Sequence, residues 1–202
     1  MPPGWLTARE ERILAALRGP RAAEWAASRT AAKASVLRLV GSRIDPSGVE
    51  ITGEPSGVPW GRIGGDRLPL SLAHSDGWAA AAAHRRLRVG VDIEPLRPLP
   101  DGMARYFLSP DEDLALGGWT DPPTATLAAW TLKEAALKAA GRGLSVPPRS
   151  IRIRSLGSGG RAELSMTGQE FVAACWRDGG AVVAVACAAT RLPAVRIFSE
   201  MG

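Results

Sequence analysis

The order of secondary-structure signals limits most strongly how this chain can fold, because helices precede strands and the same order occurs twice. A capping-box pattern at Thr7 predicts a first helix, and the hydrophobic period becomes strand-like from Val49 onward. Three prolines within 95–100 then interrupt any regular element, after which helical and strand-like signals return in the same order. We therefore predict an α+β fold of two similar subdomains, residues 1–97 and 98–202.

The hydrophobic period and the turn residues place the individual elements. Helices are predicted over 7–18, 22–40, 102–107 and 123–140, with one more opened by the residues 109–112. Strands are predicted over 49–52, 68–74, 78–83, 89–94, 150–156, 161–166, 170–176 and 181–189, and a loop over 53–67.

The apolar runs of the chain are too short for a membrane-spanning helix. The longest uninterrupted run covers nine residues, 181–189, whereas a spanning helix needs about 20. The first twelve residues carry charges where a signal peptide requires an apolar core. We expect a cytoplasmic protein with no membrane partner.

The basic character of the chain comes almost entirely from arginine. Lys33, Lys133 and Lys138 are the only lysines among 25 basic residues, and the formal net charge is +5. The densest basic run, at 84–88, makes a nucleic-acid-binding protein the minor alternative. No recognised nucleic-acid motif accompanies this run, so we expect no nucleic-acid partner.

Two carboxylates lie at alternate positions of the predicted strand at 89–94. Because side chains alternate along a strand, Asp92 and Glu94 share one face, and Val91 and Ile93 share the other. A half-exposed strand with its acids in water would give the same pattern.

A third carboxylate lies among the large apolar residues of the predicted helix at 123–140. At about 100° per residue, Glu134 falls within the stripe of Leu127, Trp130 and Leu137, and Lys138 lies at its edge. A solvated Glu–Lys pair is the alternative, but most other positions of this helix are alanine. An acid in the apolar stripe needs a cation or a metal as its partner.

Three carboxylates and an ammonium on two elements favour a Mg²⁺ site for phosphate chemistry, because Mg²⁺ prefers oxygen ligands and substrate phosphates. Asp92, Glu94 and Glu134 are the candidate metal ligands. Lys138 and His74 are candidates for stabilising charge at the transferred group.

The same residues resemble the signature of the 4'-phosphopantetheinyl transferases of the surfactin-synthetase-activating type. The strand motif stands here as Gly90-Val91-Asp92-Ile93-Glu94, and the helix motif as Trp130-Thr131-Leu132-Lys133-Glu134 with Lys138. Further similar segments lie at 70–75, at 141–145 and in the N-terminal helix from Glu24 to Leu37.

The resemblance implies a pseudo-twofold monomer that binds coenzyme A and Mg²⁺, or Mn²⁺, between its halves. Such enzymes transfer phosphopantetheine from coenzyme A to a serine of an acyl or peptidyl carrier protein and release adenosine 3',5'-bisphosphate. By this resemblance, Glu134 or Lys138 accepts the serine proton. His74, Ser75 and Lys138 bind the donor, together with Arg29 and Lys33 near the 3'-phosphate.

Two departures from the family pattern concern the nucleotide. A lysine of the family is replaced by Val58, and a serine before the histidine is replaced by Ala73. They leave open a second hypothesis, in which the same fold and metal site serve another reaction of coenzyme A or of a phosphoanhydride. The basic run at 84–88 is, in the leading hypothesis, a docking surface for an acidic carrier protein.

Overall fold

A computed structural model describes residues 3–41, 44–55, 57–112, 122–157 and 159–189. Its helices are α1 (Ala8–Ala16), α2 (Gly19–Val40), α3 (Met103–Phe107) and α4 (Pro122–Ala139). Its strands are β1 (Val49–Gly53), β2 (Pro59–Ile63), β3 (Asp66–Ser75), β4 (Trp78–Ala83), β5 (Val89–Pro95), β6 (Arg152–Leu156), β7 (Arg161–Met166), β8 (Gln169–Asp178) and β9 (Ala181–Cys187). The mixed α+β fold predicted from the sequence is confirmed.

The strands form two antiparallel sheets, each built on a meander of four consecutive strands. The first sheet runs β1-β2-β3-β4, and the second runs β5-β9-β8-β7-β6. Each meander follows a long helix in the chain, α2 before the first and α4 before the second. The repeated order of elements therefore has a structural counterpart.

Strand β5 joins the two halves. It follows β4 in the chain but pairs with β9, with Asp92 opposite Ala184. Val91 and Ile93 pack with Ala73 of β3 and with Val183 of β9 in one buried cluster. The strand thus lies before the predicted boundary at 97 and belongs to the sheet of the second half, while the division of the chain into 1–97 and 98–202 stays a prediction.

Helix α4 lies in the main hydrophobic core. All residues from Thr131 to Leu137 are buried, and the apolar ones share a cluster with β7, β8 and β9. An alanine-rich helix can be enclosed in this way because its small side chains let neighbouring backbones approach from several sides. A polar side chain between Thr131 and Leu137 therefore lies in protein surroundings.

The largest error of the sequence prediction is the loop at 53–67, which contains strand β2. Gly61 lies in this strand, and a Cβ added to it would lie 2.8 Å from a methyl carbon of Val36 on α2. The strand signal is weak because close approach of the helix requires a residue without a side chain. Helix α2 also begins three residues earlier than predicted, with Pro20 in its first turn.

One predicted helix extends beyond the described residues. The turn at Ser109–Glu112 is present, but the rest of the helix predicted there lies outside the described residues. None of the helices in the described ranges is long and apolar enough to cross a membrane.

Candidate active site

The site lies where α4 crosses β5, and Gly90 makes the crossing possible. A Cβ on Gly90 would overlap the carbonyl oxygen of Ala135 and lie 2.5 Å from the nitrogen of Ala139. The backbone of the helix therefore lies directly on the strand. Because Asp92 and Glu94 share the face of β5 on which Gly90 lies, their carboxylates are directed to the same side as α4.

Asp92 is buried and carries an incomplete set of partners. Its Oδ1 accepts a hydrogen bond from Nζ of Lys138 at 2.7 Å, and Lys138 also donates to the carbonyl of Val91 at 3.1 Å. Its Oδ2 is buried and has no hydrogen-bond partner. Burial raises the pKa of Asp92 to about 6, against the opposing effect of Lys138.

Glu134 is the second buried acid of the crossing, with 6% of its surface exposed. Its Oε1 is buried without a hydrogen-bond partner. Burial, and then the charge of Asp92, raise the pKa of Glu134 to about 7, while Lys138 opposes the shift. Two buried carboxylates with unpartnered oxygens are costly to a fold, so a ligand that supplies positive charge would stabilise this arrangement.

Glu94 is oriented by one residue from each half. The hydroxyl of Ser75 donates to Oε2 at 3.1 Å, and the indole N–H of Trp130 donates to Oε1 at 3.1 Å. The indole ring in turn contacts the ring of Phe107 edge-on, with the ring centroids 5.2 Å apart. Glu94 also lines a cavity of about 580 Å³ between α4 and the segment 95–100.

The side chains at the crossing could ligate a hard divalent cation, because they supply carboxylate oxygens. Two of these oxygens have no hydrogen-bond partner. The described part of the chain contains no group of three His, Cys, Asp or Glu side chains already arranged around a metal position. Binding of an ion by Asp92, Glu94 and Glu134 would therefore require these side chains to adjust.

The residues that the resemblance assigns to coenzyme A do not all lie at the crossing. Ser75 lies in the site, where its hydroxyl donates to Glu94. His74 is exposed and, as the preceding residue of β3, lies on the other face of that strand. Arg29 lies over the ring of Trp25, with its guanidinium carbon 4.7 Å from the ring centroid, and its Nε has no hydrogen-bond partner.

The placement of Lys33 contradicts the phosphate contact that the resemblance implies. Its side chain is fully buried and pairs with Glu10 at 2.7 Å, and its ammonium also donates to the carbonyls of Pro46 and Val49. An ammonium has three donors, and all three are used within the first half. Lys33 is therefore a structural lysine.

Sequence reasoning missed the roles of Gly90 and Trp130. A glycine inside a strand signals close approach of another backbone, and Gly90 carries that signal. A partly buried tryptophan usually finds an acceptor for its indole N–H, but the spacing along the chain did not identify Glu94 as that acceptor. One of the arginines of the basic run also has a partner within the fold, because Arg85 donates to the carbonyl of Leu39 at the end of α2.

Comparison with known proteins points to one family. The model of the 4'-phosphopantetheinyl transferase superfamily matches residues 88–187, which include Asp92, Glu94, Glu134 and Lys138. A 4'-phosphopantetheinyl transferase of Bacillus subtilis is 30% identical over 113 residues, covering 55% of this chain and 50% of that protein. The transferase HetI of Nostoc is 34% identical over 111 residues, covering 50% and 46%.

The chain spans about half the length of these curated relatives. Among solved structures, the holo-[acyl-carrier-protein] synthase of Helicobacter pylori in complex with coenzyme A is 22% identical, with a TM-score of 0.40, and covers 48% of this chain and 96% of that one. The corresponding synthase of Neisseria meningitidis is 22% identical, with a TM-score of 0.41, and covers 50% and 97%.

Proposed function

Because the chain belongs, through residues 88–187, to the 4'-phosphopantetheinyl transferase superfamily, we propose that it transfers 4'-phosphopantetheine from coenzyme A to a serine of an apo carrier protein. In this step the serine oxygen forms a bond to the phosphorus that carries pantetheine. The pyrophosphate bond on the other side of that phosphorus breaks, and adenosine 3',5'-bisphosphate leaves. The serine proton passes to a base of the protein.

One observation carries the proposal: Asp92, Glu134 and Lys138 meet at the crossing of β5 and α4 with two buried, unpartnered carboxylate oxygens. A fold tolerates such a site when a cationic ligand compensates it. Asp92, Glu94 and Glu134 would hold Mg²⁺, or Mn²⁺ in its place. The ion would supply positive charge to the pyrophosphate and to the leaving phosphate.

The residues of the chain have separable roles in this proposal. The ammonium of Lys138 already donates to Asp92 and Val91, and it stabilises negative charge on the transferred phosphate. Glu134 keeps an unpartnered oxygen and is the better of the two candidates for accepting the serine proton. Ser75 and Trp130 hold the carboxylate of Glu94 in position.

Arg29 and His74 are the proposed contacts for the nucleotide part of coenzyme A. Arg29 supports this role through its partly used guanidinium on α2, and His74 through its exposure at the end of β3. Ser75 of the first half and Trp130 of the second both donate to Glu94, so residues of both halves contribute to a single site, which supports action as a monomer. A cytoplasmic location stays a prediction from the sequence.

The alternative is a carrier-independent reaction of coenzyme A or of another phosphoanhydride, favoured by the replacements at Val58 and Ala73. Release of adenosine 3',5'-bisphosphate, followed by chromatography, distinguishes the two. The protein is incubated with coenzyme A and Mg²⁺, with and without apo carrier protein. Release that depends strictly on the carrier supports transfer, and release without any carrier supports the alternative.

A further inference from the structure

Each half of the molecule contains a fully buried lysine–glutamate pair with the same architecture. Lys33 pairs with Glu10 at 2.7 Å, and Lys133 pairs with Glu112 at 2.8 Å. The two lysines are 100 residues apart, and the two glutamates 102. Each lysine lies on the long helix of its half, and each glutamate accepts the backbone N–H of a threonine or serine three residues before it.

The backbone partners of the two glutamates correspond one to one. Glu10 accepts the backbone N–H groups of Thr7 and Ile51. Glu112 accepts those of Ser109 and Ile153. Each glutamate thus ties the turn before it to a strand 41 residues further along, and the lysine ties both to the long helix.

The chemistry of the pair explains why lysine stands at these positions in an arginine-rich chain. Each ammonium donates to one carboxylate and to two backbone carbonyls. Three oxygens around one nitrogen match the three donors of an ammonium, whereas a planar guanidinium spreads five donors over a fork. Arginine would leave buried donors unpaired.

The two pairs differ in what lies next to them. Lys33 is followed by Ala34, whereas Lys133 is followed by Glu134. Lys33 donates to the carbonyl of Pro46, whereas Lys133 donates to that of Phe107 at 2.7 Å.

Phe107 connects the second pair to the site. Its ring contacts the ring of Trp130, and the indole of Trp130 donates to Glu94. Lys133 is therefore linked to two carboxylates of the site, to Glu134 through the chain and to Glu94 through Phe107 and Trp130.

We propose that the Lys133–Glu112 pair is a positioning element of the site, which sets the carboxylates of Glu134 and Glu94 relative to Asp92, and that the Lys33–Glu10 pair only stabilises the first half. The proposal rests on the proposed function insofar as these carboxylates serve the reaction. The duplication supplies its own control, because the same chemical change can be made in both halves.

The test compares the double variants Glu112→Gln with Lys133→Met and Glu10→Gln with Lys33→Met in the full chain. Removing both charges of a buried pair avoids leaving one charge unpaired, and glutamine keeps an acceptor for the backbone N–H groups. Urea unfolding should show comparable losses of stability in both. The indole N–H resonance of Trp130, assigned with Trp130→Phe, reports on the bond to Glu94 without any assay of activity.

In the second-half variant, we expect the indole resonance to shift and its hydrogen exchange to become roughly tenfold faster. The dissociation constant for Mn²⁺ should rise roughly tenfold, the range found when residues behind metal ligands are changed. The first-half variant should leave both unchanged. If a double variant does not fold, Glu112→Asp and Glu10→Asp provide the same comparison, because they keep both charges of each pair and change only the reach of the carboxylate.

Equal effects of the two variants on the indole resonance, or no effect of either, would overturn the proposal. Because the resonance is measured in the protein without substrate, this outcome is independent of the proposed function. If the wild-type protein transfers no phosphopantetheine, the proposed function is overturned, but the comparison of the indole resonances stays valid.

Discussion

Replacement of Glu134 by glutamine is expected to make the metal-free protein more stable at pH 8 while it removes the proposed activity. Glu134 lies buried beside Asp92 without a partner for Oε1. Its negative charge therefore destabilises the folded state when no cation is bound, and a neutral amide of similar shape removes that effect. A residue retained at such a cost is expected where function requires it.

The magnitude follows from the pKa of the carboxyl group. Burial and Asp92 raise it from an ordinary value of 4.5 to about 7. Between these values the folded state binds more protons than the unfolded state, so stability falls as the pH rises from about 4.5 to about 7. At pH 8 the full shift lowers the free energy of unfolding by about 3 kcal/mol, of which about 1 kcal/mol is already lost at pH 5.

Urea unfolding with a chelator at pH 5 and at pH 8 measures this effect. We expect the free energy of unfolding of Glu134→Gln to exceed that of the wild type by about 3 kcal/mol at pH 8, and by about 1 kcal/mol or less at pH 5. Glu163→Gln, at an exposed position of β7, is the matched control and should change stability little at either pH. A variant less stable than the wild type at pH 8, or a difference that does not depend on pH, would show that the charge of Glu134 does not destabilise the fold.

Three further substitutions test the geometry of the site. Gly90→Ala would place a Cβ against the carbonyl of Ala135, so we expect lower thermal stability and loss of transfer. Gly65→Ala has open space and should change neither; equal effects of the two would contradict the close crossing. Trp130→Phe removes the bond to Glu94, and we expect kcat/KM to fall about tenfold or more, since a hydrogen bond to a charged group contributes about 1.5–3 kcal/mol. Ser75→Ala removes the other bond to Glu94 and should raise the Mg²⁺ concentration needed for half-maximal rate; a raised KM for coenzyme A alone would instead indicate a contact with the donor.

Local patterns of the sequence predicted most of the fold because they coincide with its packing. Strand β4 lies at 78–83, as the turn at Asp76-Gly77 predicts, and β7 lies at 161–166, as the alternating pattern predicts. The capping box at Thr7 is present with both of its hydrogen bonds. Strand β2 was missed because Gly61 lies where α2 approaches, so the strand lacks an apolar side chain at that position.

The sequence predicted those parts of the candidate site that depend on the periodicity of a single helix or strand, because this periodicity determines which side chains share a face. Asp92 and Glu94 on a strand, and Glu134 and Lys138 on a helix, are aligned by geometry alone. The pairing of β5 with β9 and the crossing of α4 depend on contacts between distant segments. For the same reason the sequence did not show that Lys33 pairs with Glu10, 23 residues before it.

The most direct test of the proposed transfer is the intact mass of an apo carrier protein after incubation with coenzyme A, Mg²⁺ and this protein. We expect a gain of one phosphopantetheine group with the wild type and with Glu163→Gln, and no gain with Glu134→Gln. The absence of a gain across several acyl and peptidyl carriers with the folded wild-type protein would contradict it, and so would an unchanged gain with Glu134→Gln.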